Sequence, residues 1–258
     1  MRIHQNTMAM NAHRNLSGTQ NSLGKSLEKL SSGFRINRAG DDAAGLVISE
    51  TLRSQVSGIK TAVRNAQDGV SVVQTAEGAL TEVHSMLQRM RDLAVQASNT
   101  GANGGHTGSS VAAAQAELDE LVGAIEQIAD TTKFNGTSLM SGASANLTFQ
   151  IGANGGETLT LATADMTITS GLTINALDLT ADASGAIAGI DSAIAEVSTY
   201  RGTLGATQNR LEHTINNLQV SAENLSASES RIRDVDMAQE MTNSTRNPHH
   251  PHAGTPTP

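Results

Sequence analysis

Residues 18–26, GTQNSLGKS, place two glycines ahead of a lysine and a serine, the residue types from which a phosphate-binding loop is made. Such a loop needs four residues between its glycines so that successive backbone N–H groups cradle the phosphates, and here there are five. Leu16, Leu23, Leu27 and Leu30 run through the same segment at helical spacing, so it reads as a helix face with small residues and not as a nucleotide site. His249, His250 and His252 have the imidazoles that suit zinc, copper or nickel. They stand in NPHHPHAGTPTP, which holds all four prolines of the chain and reads as a solvated tail rather than a fixed cage. His4, His13, His84, His106 and His213 are scattered, with no HExxH to arm a zinc peptidase. Asp41 and Asp42 are adjacent, which suits neither a carboxylate pair across a glycosidic bond nor a metal shell, and points to a turn or helix N-cap. No serine sits in a GxSxG elbow, and zero cysteines remove thiolate metal sites, sulfur nucleophiles and disulfides together. The expectation is a chain without catalytic, metal or cofactor sites, and not an enzyme.

One segment is dense enough in exposed chemistry to recognise a partner. In residues 88–96, QRMRDLAVQ, Arg89 and Leu93 are four apart and share a helix face, setting a charge beside an apolar anchor. The Asn-x-Ser/Thr triplets at Asn15, Asn135, Asn146, Asn224 and Asn243 carry no weight in a chain so rich in these residues.

The elements that position these residues are mostly helical. The first 247 residues contain no proline, so no pyrrolidine ring interrupts a helix there. From Leu52 a seven-residue ladder runs through Ile59, Ala66, Val73, Leu80, Leu87 and Ala94, with Val56, Val63 and Val70 at the intervening d positions: a heptad seam. Past Val70 the d rungs become Glu77, His84 and Arg91, while Val83, Met86, Met90 and Leu93 open a second stripe. The later part of this helix should therefore touch more than one partner. A second ladder begins at Ile187, Ile190, Ile194 and Val197 and continues through Leu204, Leu211, Ile215, Leu218, Ala222, Leu225 and Ile232. Val111, Ala114, Leu118, Leu121, Ile125 and Ile128 fit a shorter helix between them.

Two stretches break the rhythm. Residues 31–45, SSGFRINRAGDDAAG, read as an irregular connector. LTFQIGANGGETLTL alternates at Leu147, Phe149 and Ile151 and again over residues 158–161, around a glycine-rich turn, and predicts a β-hairpin. Ile168, Leu172, Ile174 and Leu177 are expected to add short strands. A helix from about residue 186 to 245 would run ~90 Å at 1.5 Å per residue, against a radius of gyration of ~18 Å for a compact globule of this length. The expected fold class is mainly α: an elongated antiparallel helical bundle or coiled-coil rod with a small β-hairpin region.

Composition agrees with narrow seams. Of the 258 residues 38% are apolar but only 2% aromatic, with three Phe, one Tyr and no Trp, so no interior filled by rings is expected. No stretch approaches the ~18 uninterrupted apolar residues of a membrane span, and no cleavable signal sequence follows the start. The net charge of −8 argues against nucleic acid. That charge is uneven: residues 1–38 carry +5 and the remainder −13. The basic start suits a helix that docks on other subunits better than a transit peptide.

At these residues the chain resembles bacterial flagellin. The matching stretches are NLSGTQNSLGKSLEKLSSGFRINRAGDDAAGLVISETLRSQVSGI (15–59), NAQDGVSVVQTAEGAL (65–80), LQRMRDLAVQASN (87–99), KFNG (133–136), FQIGANGGETL (149–159) and RGTLGATQNRLEHTINNLQVSAENLSASESRIRDVDMAQEMT (201–242), in the family's order. The resemblance implies a structural subunit of the flagellar filament, secreted to the bacterial flagellum for motility, with terminal helices paired at the filament centre and a surrounding rod domain. It implies subunit packing through Leu16, Leu23, Leu27 and Leu30, and a rod seam of Leu52, Ile59, Val73, Leu80, Ile190, Val197, Leu204, Leu211, Leu218, Leu225 and Ile232. Only 50 residues separate Gly136 from Ile187, so no substantial outer domain fits. The implied partners are other flagellin subunits in a homopolymer, the flagellar type III export apparatus, and the filament cap and junction proteins. Arg89, Leu93 and Glu117 are assigned by the resemblance to the surface read by the vertebrate Toll-like flagellin receptor; Glu117 precedes Phe134 of KFNG by the family's interval.

The expected division is an N-terminal filament-core helix and connector (1–40), the N-terminal part of the rod domain (41–183), a C-terminal rod helix (184–235), the start of a C-terminal core helix (236–246) and a disordered Pro/His-rich tail (247–258). The tail departs from the family, whose chains continue into a long apolar-striped helix. A frameshift or a gene-annotation error is the hypothesis that explains the abrupt change, and resequencing the locus in the same frame would remove it. On that hypothesis the leucine stripe of the first helix lacks its intrachain partner, the first 40 or so residues are mobile, and filament formation is weak or absent. The alternatives are a non-assembling truncated flagellin acting as a secreted receptor ligand, or a hook-filament junction protein; the SASESRIRDVDMAQEM run favours flagellin proper.

Overall fold

The computed structural model describes residues 7–99, 101, 108–142 and 146–253, excepting the side chains of 247–253. Its principal helices are α1 (Thr7–Ser32), α2 (Ala43–Ala97), α3 (Ser109–Thr131), α4 (Leu179–Arg233) and α5 (Met237–Ala253), with strands β1 (Lys133–Phe134), β2 (Thr137–Ser138), β3 (Leu147–Gln150) and β4 (Thr158–Leu161). The chain divides into two units. One is built from the described residues up to Gly58 and from Val220 onward, the other from Ile59–Gln219. Among the described residues no helix is long and apolar enough to cross a membrane.

Helix α2 begins where Asp42 accepts a hydrogen bond from the Gly45 amide at 2.9 Å, the N-cap expected of the paired aspartates. Gly45 is required there, since a Cβ would lie 2.5 Å from the Asp42 carboxylate and 2.8 Å from Ile36. Asp41 closes the preceding turn by accepting from the Asn37 and Arg38 amides. Those amide donors hold its carboxyl below the usual carboxylate range. Residues 18–26 lie inside α1, as their leucine spacing predicted.

In the Ile59–Gln219 unit the heptad ladders form the core. Ile59, Val73, Leu80 and Leu87 of α2 and Ile190, Val197, Leu204 and Leu211 of α4 are buried, while Leu218 is half-buried. Burying each such side chain contributes roughly 1.5–3 kcal/mol before chain entropy is counted. The polar rungs flank this seam as ion pairs: Glu77 lies 3.8 Å from Arg201 and Arg91 lies 2.6 Å from Asp191. The second stripe of α2, Val83, Met90 and Leu93, is buried as well, and Arg89 of α2 reaches Glu117 of α3. So α2 meets α3 and α4 along neighbouring faces, as the two stripes required.

Antiparallel β3 and β4 pair Leu147 with Leu161 and Phe149 with Leu159, burying Leu159 and Leu161 by strand alternation. Gly69 lets the hairpin approach α2; a Cβ there would stand 3.4 Å from the Phe149 ring and 3.3 Å from Leu211. A second antiparallel pair, β1 and β2, turns through Asn135 and Gly136 at φ 49° and 81°. Two successive positive φ angles are what a type I′ hairpin needs and what Asn-Gly supplies.

The strands expected around Ile168, Leu172, Ile174 and Leu177 are absent among the described residues. That stretch is buried coil, held by amide-to-carbonyl bonds from Met166 to Met140, Leu172 to Thr167 and Ile174 to Ile168. Asp165 accepts from the Thr167 amide and hydroxyl and from Ser170, and this clasp turns the backbone before any ladder can extend. Gln115 of α3 then anchors the exit, accepting from the Leu179 amide at 2.7 Å and donating to the Leu177 carbonyl at 3.1 Å. Helix α4 kinks at Asp182 (φ −146°, ψ 82°), whose carboxylate caps the continuous part through the Gly185 amide.

Tyr200, the only tyrosine, is buried on α4 and donates to the Ala162 carbonyl at 3.2 Å. Burial pushes its phenol above the usual value. Because the folded value is raised, this stabilisation is complete below about pH 10, the unfolded value, and disappears as pH climbs through the folded one. We expect phenolate absorbance to appear at higher pH in the native protein than in urea, together with a melting temperature that falls in the same window. Coincident titrations in the two states would overturn this, and Tyr200→Phe should abolish the step.

In the other unit the ladder residues Leu52, Leu225 and Ile232 are half-buried. Helix α1 packs along α5, so the first helix has an intrachain neighbour, contrary to expectation, although Leu16 and Leu27 of its stripe stay exposed. Helix α5 continues to Ala253, beyond the boundary expected at Arg246.

Candidate functional site

Exposed apolar side chains are concentrated in one of the two units. Among the large hydrophobics left exposed, Met8, Met10, Leu16, Leu27, Phe34, Val47, Ile48, Val220, Met237 and Met241 belong to the unit that contains both ends, and only Val95 belongs to the other. Leu23 and Leu30 are half-buried, whereas Leu16 and Leu27, three turns apart on one face of α1, are half exposed. Ten large apolar side chains left uncovered by the described residues of one unit make that unit the candidate interaction surface.

The same unit carries a latch that joins its two connectors. An isolated antiparallel bridge pairs Phe34 with Asp234. The Arg35 amide donates to the Arg233 carbonyl at 2.7 Å, and the Val235 amide to the Gly33 carbonyl at 3.0 Å. The Arg35 guanidinium donates to the Ile232 carbonyl at 2.6 Å. Arg233 lies over the Phe34 ring at 4.8 Å and pairs with Glu50 of α2 at 2.5 Å. Its guanidinium is largely enclosed and its Nε has no acceptor, while Glu50 is half exposed. Arg38 adds a surface pair with Glu28 at 2.8 Å.

Of the three recognition residues, the structure brings two together. Arg89 donates to Glu117 at 2.7 Å, and this bond raises the arginine's already high pKa. Both side chains are about half exposed, so solvent screens the pair and it adds little to stability. Leu93 is 3% exposed and packs into the core instead of standing beside them as a surface anchor. Beyond these residues, a cleft of about 180 Å³ near the two hairpins is lined by Asp68, Val72, Phe134, Leu139, Leu147 and Phe149, among others.

His249, His250 and His252 have side chains outside the described residues. Among the described residues no group of three or more His, Asp or Glu side chains could hold a metal ion. The latch residues Phe34, Arg35, Glu50 and Arg233 were not singled out in the sequence. Their contacts join positions 183 to 200 residues apart, a separation no local pattern reports. The one signal available was the arginine pair placed at the end of each amphipathic run, in GFRINR and SRIRD.

The family model of the bacterial flagellin N-terminal helical region matches residues 3–145, and that of the bacterial flagellin C-terminal helical region matches residues 187–254. The chain is 52% identical to a flagellin of Halalkalibacterium halodurans over 95% of this chain and 90% of that one. It is 46% identical to a flagellin of Bacillus subtilis over 96% and 91%, and 42% identical to the flagellar filament 33 kDa core protein of Treponema phagedenis over 96% and 91%. Among solved structures, the crystal structure of Bacillus cereus flagellin aligns with a TM-score of 0.53 at 33% identity, covering 64% of this chain and 94% of that one. A putative flagellar hook-associated protein from Vibrio parahaemolyticus aligns at 0.61 with 16% identity over 75% and 100%, a likeness of fold alone. Proline-free heptad helices, a small hairpin region and this agreement along nearly the whole sequence converge: the chain belongs to the bacterial flagellin family, as a short form that serves as a structural subunit of the flagellar filament.

Proposed function

We propose that this subunit polymerises through the terminal unit, with α1 and α5 and the exposed residues around the latch packing against further copies, and with the seam unit acting as the stiff body that those contacts hold in register. The observation that carries this is the concentration of uncovered apolar side chains in the terminal unit. Burying them against copies related by a repeated head-to-tail operator whose rotation does not close generates an open helical filament. The chain leaves the cell unfolded through the flagellar type III apparatus and meets the cap and junction proteins at the growing end, a route supported by the match to both flagellin family regions. Its role is structural, with no reaction catalysed. Ultracentrifugal pelleting with electron microscopy, with and without filament seeds, tests the proposal. Filaments that shorten in yield on Leu16→Asp and Leu27→Asp are expected, and persistent monomers in the unsubstituted protein would overturn it.

Recognition by a Toll-like receptor is the second reading, supported by the Arg89–Glu117 pair standing half exposed on adjacent helices. Leu93, being buried, would act by fixing the position of α2. Arg89→Glu is expected to reduce a receptor-reporter response at least tenfold with an unchanged melting temperature, whereas Leu93→Ala should lower both. An undiminished response to Arg89→Glu sinks this reading.

A further inference from the structure

The eight methionines among the described residues divide sharply by position. Met90, Met140 and Met166, in the seam unit, are buried at 0–1% exposure, and Met86 is half-buried there. Met8, Met10, Met237 and Met241, all on the terminal helices, are 77%, 68%, 46% and 57% exposed. Met237 and Met241 are four apart on α5 and therefore share one face, and both stay exposed even though α1 packs on that helix. A thioether on such a surface has two properties at once: it is an adaptable apolar contact, and it is open to oxidation.

We propose that Met8 and Met10 at the start of α1, and Met237 and Met241 on α5, are separate oxidation points that together control assembly of the free subunit. The oxidant class is hydrogen peroxide. The thioether sulfur attacks one peroxide oxygen, a sulfur–oxygen bond forms as the oxygen–oxygen bond breaks, and the remaining hydroxide takes up a proton as water. Each sulfur loses two electrons to become a sulfoxide and each peroxide is reduced to water, so the step needs no further reagent. The product replaces an apolar side chain by a polar, chiral one. Wherever one of these side chains must be buried against a second copy, the sulfoxide dipole has to be desolvated without a designed partner, which opposes association. Within the seam unit the buried sulfurs are shielded, so its fold persists while the ends lose their contacts. Once copies have packed, the same four sulfurs are covered and the filament is resistant. The inference rests on the proposed packing through the terminal unit.

The test treats the full chain with peroxide either before or after polymerisation, maps sulfoxides by peptide mass spectrometry and measures pelleted filament. Before assembly, sulfoxides are expected at Met8, Met10, Met237 and Met241 but not at Met90, Met140 or Met166, with filament yield reduced at least tenfold. After assembly, oxidation of the four should slow by at least tenfold. The fourfold variant M8L/M10L/M237L/M241L, which keeps the apolar volume without the sulfur, should polymerise equally well with and without peroxide. Oxidised protein that pellets as fully as untreated protein overturns the inference alone, as does a leucine variant inactivated as strongly as the parent. Untreated protein that never pellets overturns the packing proposal and this inference with it.

Discussion

Leu80→Ala is expected to lower the stability of the seam unit by about 2–5 kcal/mol, the range for a buried leucine truncated where neighbours cannot collapse. Leu80 is fully buried on α2. It lies one turn beyond Glu77, whose pairing with Arg201 of α4 marks the seam at that level. Its neighbours along the ladder, Val73 and Leu87, are fully buried too, and all three are fixed to one continuous helix. A helix cannot bend inward at one rung without disturbing the next, so most of the vacated volume should remain as a cavity. At about 2–4 °C per kcal/mol for a chain of this size, the melting temperature should drop by roughly 5–20 °C. Leu16→Ala, on the half-exposed face of α1, supplies the comparison and should move it far less in the monomer. Equal shifts from the two substitutions would falsify the assignment of the seam as the core.

Arg233→Ala should release the latch, at a cost of about 2 kcal/mol confined to the terminal unit. The ion pair with half-exposed Glu50 contributes about 1 kcal/mol and the stack over Phe34 about 0.5–1 kcal/mol, with lost packing of the enclosed stem adding to both. Hydrogen exchange reads this locally. The Arg35 amide, bonded to the Arg233 carbonyl, and the Val235 amide, bonded to the Gly33 carbonyl, should exchange about 30-fold faster, while amides of the seam unit hold their rates. Arg233→Lys keeps the charge but loses the planar group that lies on the ring, so it should recover only part of the protection. Unchanged exchange at Arg35 and Val235 in the alanine variant would show that the backbone bridge holds the connectors without the side chain.

The long helices were legible because the forces that build them repeat every seven residues. Leu52 to Ala94 and Ile190 to Ile232 declare both the elements and their buried faces, and the polar rungs Glu77 and Arg91 proved to be the seam's flanking ion pairs. Asp42 as a cap was likewise a local signal. The Asn135-Gly136 hairpin was equally local, and turn chemistry alone would have given it. Ile168, Leu172 and Ile174 misled because apolar residues at short spacing mark burial without specifying strand; the Asp165 clasp decided the backbone instead. Leu93 misled in a related way. Its spacing from Arg89 put both on one flank, but the stripe it shares with Val83 and Met90 turns it inward. The latch was hidden for another reason, since Arg35 and Ile232 meet across 197 residues and each looks unremarkable beside its own neighbours.

The seam pairs a helix from the first half of the sequence with one from the second; Arg91 and Asp191, which mark one level of it, are 100 residues apart. A chain that emerges from its N-terminus first therefore presents α2 long before its partner exists. At a synthesis rate of about 5–20 residues per second, the interval between the last residue of α2 and the last of α4 is about 7–30 s. Throughout it the apolar ladder has no α4 to close upon, and a helix of such composition is not held by its own hydrogen bonds alone. High contact order thus delays compaction until nearly the whole polypeptide is available. The ladder of α2 therefore stays unpaired through most of synthesis, and completion of α4 is the step that lets the seam close.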